Sequence, residues 1–85
     1  YIRDQVRAVL GAGVLPVTIG GDHSMAAGSV VGLAQAYGAH GRIGLLWIDA
    51  HADINTPQTT VTQALHGMPI AALLGRCDPD LVALG

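Results

Sequence analysis

Two short apolar runs constrain the fold of this chain more than any other feature. Residues 14–19 and 43–48 are almost continuously apolar and rich in β-branched side chains, the pattern of strands buried on both faces. Pro16 lies within the first run and weakens that pattern, because proline donates no hydrogen bond to a sheet. The segment from Ser24 to about Tyr37 is rich in alanine and predicts a helix. Two strands joined by such a helix form a right-handed parallel crossover, so we predict an α/β fold with a parallel sheet between helices.

Further helices are predicted on both sides of this unit. Residues 3–10 place apolar side chains at helical spacing, and the glycines that follow are typical of a helix end. A long polar loop is expected over residues 50–66, with another helix over residues 68–74. The dipeptide Asp78-Pro79 predicts a turn after that helix. The predicted order is therefore helix, strand, helix, strand, loop, helix.

The composition excludes several classes of protein. Charged residues make up 12% of the chain, against about 25% in ordinary soluble proteins, and there is no lysine or glutamate. A small free-standing domain needs a more polar surface than this, so we expect residues 1–85 to be one partial domain, buried against partners, in a homo-oligomer. The net charge of −2 and the absence of basic runs argue against nucleic-acid binding. No apolar run approaches the roughly 20 residues of a membrane span.

The single cysteine, Cys77, excludes an intrachain disulfide. A lone thiol also cannot form a cysteine-rich zinc site. This usage fits a reducing compartment, and we expect a cytoplasmic protein.

A polar motif follows each apolar run at once: GGDHS at 20–24 and DAHAD at 49–53. In parallel α/β sheets, ligands bind beyond the carboxyl ends of the strands, where both motifs would lie. Taken alone, GGDHS is equally well explained as a tight turn in which Asp22 or Ser24 caps the next helix. Asp22 could also orient His23. For DAHAD, the simpler alternative is a solvated turn.

The alternation of Asp49, His51 and Asp53 indicates a metal site. In an extended chain every second side chain points to the same side, roughly 6.6–7 Å apart, so these three groups converge. Buried carboxylates need a compensating charge, which a metal ion supplies. One carboxylate can also bridge two ions about 3.5–4 Å apart. His23 could add a further ligand, and oxygen ligands combined with imidazole suit Mn²⁺ or a similar ion.

The motifs GGDHS (20–24), DAHADINTP (49–57) and LHG (65–67) resemble the arginase branch of the ureohydrolase family. The resemblance implies a three-layer α/β/α fold, a centre of two manganese ions and the hydrolysis of guanidino groups with release of urea. The family also has two downstream aspartates in a paired motif that residues 1–85 lack. We therefore expect a partial ureohydrolase domain that does not hold a competent two-metal site by itself.

The resemblance also implies a role for individual residues. By position, Asp49 resembles the carboxylate that bridges the two manganese ions, with His23 and Asp53 on one ion and His51 on the other. Asn55, Thr60 and Thr62 match positions that bind the α-carboxylate of the amino acid in arginases, where the last is usually serine. The catalytic groups implied are Asp53 and His66, and His66 resembles the proton-shuttling histidine; the ordinary imidazole pKa of about 6.5 suits that task.

The chemistry of the substrate explains the need for metal. A guanidinium is a poor electrophile and stays protonated, so its hydrolysis at neutral pH needs hydroxide, which two metal ions generate and hold between them. The reaction that the resemblance implies is manganese-dependent hydrolysis of L-arginine to L-ornithine and urea. The loop DINTP favours arginine over agmatine, because agmatinases do not share it.

The same residues are also compatible with other functions. Agmatinase, guanidinobutyrase or formiminoglutamase activity would use the same ligands, and a catalytically incomplete chain with a structural role is a non-enzymatic alternative. A dinucleotide-binding half-domain is suggested by GAG at 11–13. That motif should follow a strand and open a helix, whereas here it precedes the first apolar run, so we reject it.

Overall fold

The structure is a computed structural model that describes residues 1–77 and 79–83. The helices in this part of the chain are α1 (Ile2–Gly11), α2 (Ser24–Tyr37), α3 (Pro69–Leu73) and α4 (Pro79–Val82), with 3₁₀ turns at Gly38–His40 and Leu65–Gly67. The three predicted helices are confirmed as α1, α2 and α3. The predicted turn at 78–79 falls partly on Asp78, which lies outside the described residues. None of the helices described is long and apolar enough to cross a membrane.

The packing of α1 against α2 forms the main core. Val6 on α1 is buried at 6% exposure, and Gly32 on α2 is buried opposite it. Gly32 allows a very close approach, because a Cβ atom there would lie 2.7 Å from the carbonyl oxygen of Arg3 and 2.9 Å from the Cβ of Val6. The glycine therefore sets how closely the two helices approach each other.

A smaller apolar cluster connects α2 with α3. Ala27 on α2 is 9% exposed, Ala71 on α3 is completely buried, and Met68, which precedes α3, is 7% exposed. This contact places the end of the long loop, including the 3₁₀ turn Leu65–Gly67, near the beginning of α2. The core thus brings together the two parts of the chain that carry the polar motifs.

The two predicted strands are not confirmed. Within residues 1–77 and 79–83 neither apolar run forms a β-strand, and their side chains are exposed, with Val17 at 74% and Leu46 at 84%. A strand obtains its hydrogen bonds only from a neighbouring strand, and a strand buried on both faces needs a layer of helices on each side. The described residues supply helices but no strand partner, so the apolar pattern is present without the sheet that it predicts.

Replacing Gly32 with alanine should destabilise the chain. The new methyl group would meet the backbone of α1, which cannot move aside as a flexible side chain can, and such overpacking costs about 1–3 kcal/mol. The expected result is a lower melting temperature, by about 4–8 °C per kcal/mol in a domain of this size, followed by circular dichroism. Gly11→Ala is the matched control, since a Cβ there meets nothing within 4 Å. An equal loss in both variants would contradict the close-approach explanation.

Candidate metal centre

Three of the predicted ligands converge at one end of α2. Suitable ligand atoms of His23, Asp49 and Asp53 all lie within 4.8 Å of one another. The Nδ1 atom of His23 lies 2.5 Å from Oδ2 of Asp49 and 3.0 Å from Oδ2 of Asp53. The two carboxylates are 7% and 6% exposed, whereas the imidazole is 57% exposed and faces outward. An open imidazole above two buried carboxylates is therefore the centre of the site.

The turn before α2 holds His23 in place. The Oδ1 atom of Asp22 accepts hydrogen bonds from the backbone N–H of Ser24 at 2.9 Å and from its hydroxyl group at 2.5 Å. The N-cap residue is His23, whose side chain makes no capping hydrogen bond, so neither Asp22 nor Ser24 occupies the N-cap position as the sequence suggested. Asp22 instead accepts the first N–H of α2 from the position before the N-cap, and we call this pair of hydrogen bonds to Ser24 the Asp22 cap. The ring of Trp47 packs edge-on against the His23 imidazole, with the ring centroids 5.8 Å apart. A contact between Trp47 and the site could not be read from the sequence, in which Trp47 lies inside the second apolar run.

The backbone of Asp53 is unusual and ties the site to α3. Its φ of +49° lies in the left-handed region, which aspartate and asparagine tolerate better than most residues. Its carbonyl oxygen accepts a hydrogen bond from the N–H of Ile70 at 3.0 Å. The carboxylate of Asp53 therefore faces His23 while its carbonyl group satisfies the first turn of α3.

Asp49 gives the clearest indication that the cluster would fit a cation. Its Oδ1 atom accepts the backbone N–H of His51 at 2.8 Å, and this hydrogen bond lowers the pKa of Asp49. Desolvation opposes the shift, and the neighbouring His23 adds to it. Its Oδ2 atom is buried and, within the described residues, has no hydrogen-bond donor of its own, because the Nδ1 atom of His23, 2.5 Å away, makes its hydrogen bond to Asp53. A buried carboxylate oxygen without a donor, beside a second buried carboxylate, is an arrangement that a divalent cation would stabilise. The ligands present therefore fit a metal ion.

An open cleft of about 750 Å³ lies next to these ligands. Six of the residues singled out from the sequence line it: His23, His51, Asp53, Asn55, Thr62 and His66. The loop that carries Asn55 is fastened to the turn at 65–67, because the N–H of Asn55 donates to the carbonyl oxygen of Gly67 at 3.1 Å. His23 and His66, which are 43 positions apart in the sequence, thus line the same cleft.

Two of the predicted residues are placed differently from the rest. The side chain of His51 is 84% exposed and lies outside the three-ligand cluster, although its Nδ1 atom is 3.4 Å from Oδ1 of Asp49. Thr60 does not line the cleft, and its hydroxyl oxygen accepts the N–H of Gln63 at 3.0 Å. The roles assigned to these residues, and to the others of the site, stay predictions.

Asp22 is the residue whose surroundings the sequence did not indicate. Its Oδ2 atom lies 3.9 Å from Nδ1 of His66, across the cleft from the start of α2. The hydroxyl and N–H groups of Ser24 lower the pKa of Asp22. The nearness of these two residues depends on the folding of the long loop, so no spacing in the sequence could have signalled it.

A helical scaffold with a carboxylate–imidazole cluster at the edge of a cleft defines a candidate metal-dependent enzyme. The sequence profile of the Arginase family matches residues 1–85, and the chain therefore belongs to the arginase family. The arginase of Eremothecium gossypii is 54% identical over 74 residues, which cover 87% of this chain and 18% of that protein.

Solved structures agree with this assignment. The chain resembles the arginase of Bacillus caldovelox with a TM-score of 0.89 at 41% identity, covering 99% of this chain and 27% of the other. It resembles the Entamoeba histolytica arginase in complex with L-ornithine with a TM-score of 0.90 at 35% identity, covering 98% and 28%. The chain thus spans between about a fifth and about a quarter of the length of the relatives it matches, and it follows the path of the arginase fold over that part.

Manganese should stabilise the chain if the cluster binds it. A ligand that binds only the folded state adds about 2.7 kcal/mol of stability at a free concentration of 100 times its Kd, so Mn²⁺ should raise the melting temperature. Asp53→Asn should abolish this rise, because asparagine tolerates the left-handed backbone but carries no charge. Asp4→Asn removes an equal charge on α1 and should leave the rise intact. If Mn²⁺ does not change the melting temperature of the wild-type chain, the prediction that the cluster binds this ion is wrong.

The cap formed by Asp22 should make stability depend on pH. Because the folded chain holds the pKa of Asp22 below its ordinary 3.8, the stabilisation is fully present above 3.8 and is lost as the pH falls through the lowered value. The difference in unfolding free energy between wild type and Asp22→Asn should therefore be constant above about pH 5 and shrink as the pH falls below 3.8 in urea titrations that extend below about pH 3. Ser24→Ala, which removes the main cause of the shift, should reduce the effect. A difference that does not shrink below pH 3.8 would refute the cap as its origin.

Proposed function

We propose that residues 1–85 form part of a manganese-dependent arginase that hydrolyses L-arginine to L-ornithine and urea. The observation that carries the proposal is the convergence of His23, Asp49 and Asp53 beside a cleft, in a chain of the arginase family. The chain lacks the downstream paired aspartates, so the activity is proposed for the complete protein. Two observations together support the proposal: the metal-binding side chains of the cluster and the membership of the chain in the arginase family.

The donor set favours manganese over a thiolate-binding metal. His23, Asp49 and Asp53 would hold one ion, and Asp49 with His51 would contribute to a second, because His51 Nδ1 already lies 3.4 Å from Asp49 Oδ1. When bound, the two ions supply the Lewis acidity that makes water nucleophilic at neutral pH. A site of carboxylate oxygens and imidazole nitrogen suits Mn²⁺.

His66 is the proposed proton relay. Its side chain is 58% exposed and lines the cleft, so its imidazole can reach a bound substrate. The amine that leaves the guanidino carbon must gain a proton, and a histidine can accept and donate protons near neutral pH. Asp53, in contrast, is held between His23 and the start of α3, and it acts by orienting the ligands.

Asn55 and Thr62 are the proposed contacts of the amino-acid end of the substrate. Both line the cleft, and their amide and hydroxyl groups can donate hydrogen bonds to a carboxylate. The structure of the Entamoeba histolytica arginase contains L-ornithine, an amino acid that carries such a carboxylate. Thr60 would have to give up its bond to the N–H of Gln63 to join them.

In the complete protein, we propose that residues 14–19 and 43–48 become strands of a parallel sheet within an α/β/α fold. Their apolar side chains, which include Leu15 at 82% and Ile48 at 88% exposure, would then be covered by neighbouring elements. A homo-oligomer and a cytoplasmic location stay predictions.

The substrate assignment can be tested by comparing arginine with agmatine, which lacks the α-carboxylate. The complete protein with Mn²⁺ should release urea from arginine with the higher kcat/KM. Asn55→Ala should lower kcat/KM for arginine by about 10- to 100-fold, the effect of losing a hydrogen bond to a charged group. Agmatine turnover, or its inhibition constant where turnover is slow, should change little.

Gln58→Ala is the control for this comparison, because Gln58 is exposed and does not line the cleft. It should leave both substrates unaffected. Agmatine turning over faster than arginine would replace the proposed substrate with a decarboxylated one. An equal decrease in kcat/KM for both compounds in Asn55→Ala would show that Asn55 does not bind the α-carboxylate of the substrate.

A further inference from the structure

Asp22 is an ionisable residue of the cleft to which the proposed reaction assigns no role. The other ionisable groups among the described cleft residues are the candidate metal ligands His23, His51 and Asp53 and the proton relay His66. A cap for α2 would require only one oxygen atom of the Asp22 carboxylate. The second oxygen therefore has a position that capping does not explain.

The two oxygen atoms of Asp22 face different partners. Ser24 occupies Oδ1 with two hydrogen bonds, at 2.9 Å from its N–H and 2.5 Å from its hydroxyl group. These bonds leave Oδ2 directed at the His66 ring, with 3.9 Å between Oδ2 and Nδ1. Asp22 is thus a carboxylate anchored at one oxygen and presented to an imidazole at the other.

The backbone around His66 is fixed on the opposite side. The carbonyl oxygen of Gly67 accepts the N–H of Asn55 at 3.1 Å, and the N–H of Gly67 donates to the carbonyl oxygen of Ala64 at 3.1 Å. The imidazole therefore approaches Asp22 from a turn that is itself held by hydrogen bonds. Hydrogen bonds therefore hold the Asp22 carboxylate on one side and the turn that carries His66 on the other, so the two side chains face each other in the folded chain.

We propose that Asp22 is a positioning residue for His66, an inference that rests on the proposed function. The 3.9 Å between Oδ2 and Nδ1 is longer than a hydrogen bond. A small rotation of the exposed His66 ring in the active enzyme lets Oδ2 accept the Nδ1–H, which leaves the Nε2 atom to act in the cleft. Protonated His66 then passes its Nε2 proton to the leaving amine while Nδ1 keeps its own. A carboxylate that holds one imidazole nitrogen so that the other can transfer a proton plays this part in hydrolytic triads.

A double-mutant cycle in the complete Mn²⁺-loaded enzyme tests the proposal. Asp22→Asn keeps an oxygen that can cap α2 but removes the charge that faces His66. We expect kcat for arginine to fall roughly tenfold or more, with KM within about twofold. Adding Asp22→Asn to His66→Ala should cause no further loss, because Asp22 acts through His66. Asp4→Asn controls for the change in net charge and should match wild type.

A substrate with a better leaving group separates positioning from general damage. An aryl guanidine releases an aniline, which needs far less protonation than an alkyl amine. Asp22→Asn should therefore lose much less activity on the aryl substrate than on arginine, and Asp22→Glu should recover part of the arginine rate. Equal losses on both substrates, or losses that add in the double variant, would overturn the proposal.

Failure of the proposed function can be recognised separately. If the complete wild-type protein releases no urea, the proposed reaction is wrong, and the pairing is judged from the ¹⁵N NMR shifts of the His66 ring. Preference for the Nδ1–H form in wild type, lost in Asp22→Asn and kept in Asp4→Asn, supports the pairing. The same tautomer populations in all three proteins would overturn it.

Discussion

The imidazole of His23, placed against the carboxylates of Asp49 and Asp53, is the interaction on which the remaining geometry depends. The hydrogen bond between His23 and Asp53 joins residues 30 positions apart at the edge of one cleft. His23 is fixed by the turn that begins α2, and Asp53 is fixed by its carbonyl bond to Ile70 at the start of α3. A change in the positions of these three side chains would therefore shift the start of α2, the start of α3 and the loop between Asp53 and His66.

The cluster contains more negative charge than its own residues compensate. Two buried carboxylates share one exposed imidazole, and Oδ2 of Asp49 accepts no hydrogen bond within the described part of the chain. Burying charge in this way is unfavourable unless a cation or donor completes it. The same excess makes the site suitable for a divalent metal, so the electrostatic strain of the cluster and its chemistry have one origin.

The helices and the clustering of three candidate ligands were largely predictable, whereas the strands were not confirmed. α1 and α2 follow from apolar spacing and from the glycines beyond α1, which are local signals. The alternation of Asp49 with Asp53 brought two ligands together as expected, but His51, between them in the sequence, is exposed and outside the cluster. The chain bends at residues 50–51, where the N–H of His51 donates back to Oδ1 of Asp49, so the regular alternation of an extended chain has already ended at His51. The apolar runs failed as strands because a sheet needs partners that the described residues do not supply.

What the sequence determined by itself was local: the helical periodicity, the helix cap at Asp22, the candidate ligand types and the family motifs. These depend on residues close together along the chain, whose preferences act over one or two turns. Only the tertiary structure decided that Asp22 lies against His66, that Trp47 packs on His23, and that Thr60 faces its own loop instead of the cleft. Those placements depend on how α3 and the long loop pack against α2, and contacts between distant residues leave no periodic trace in a sequence.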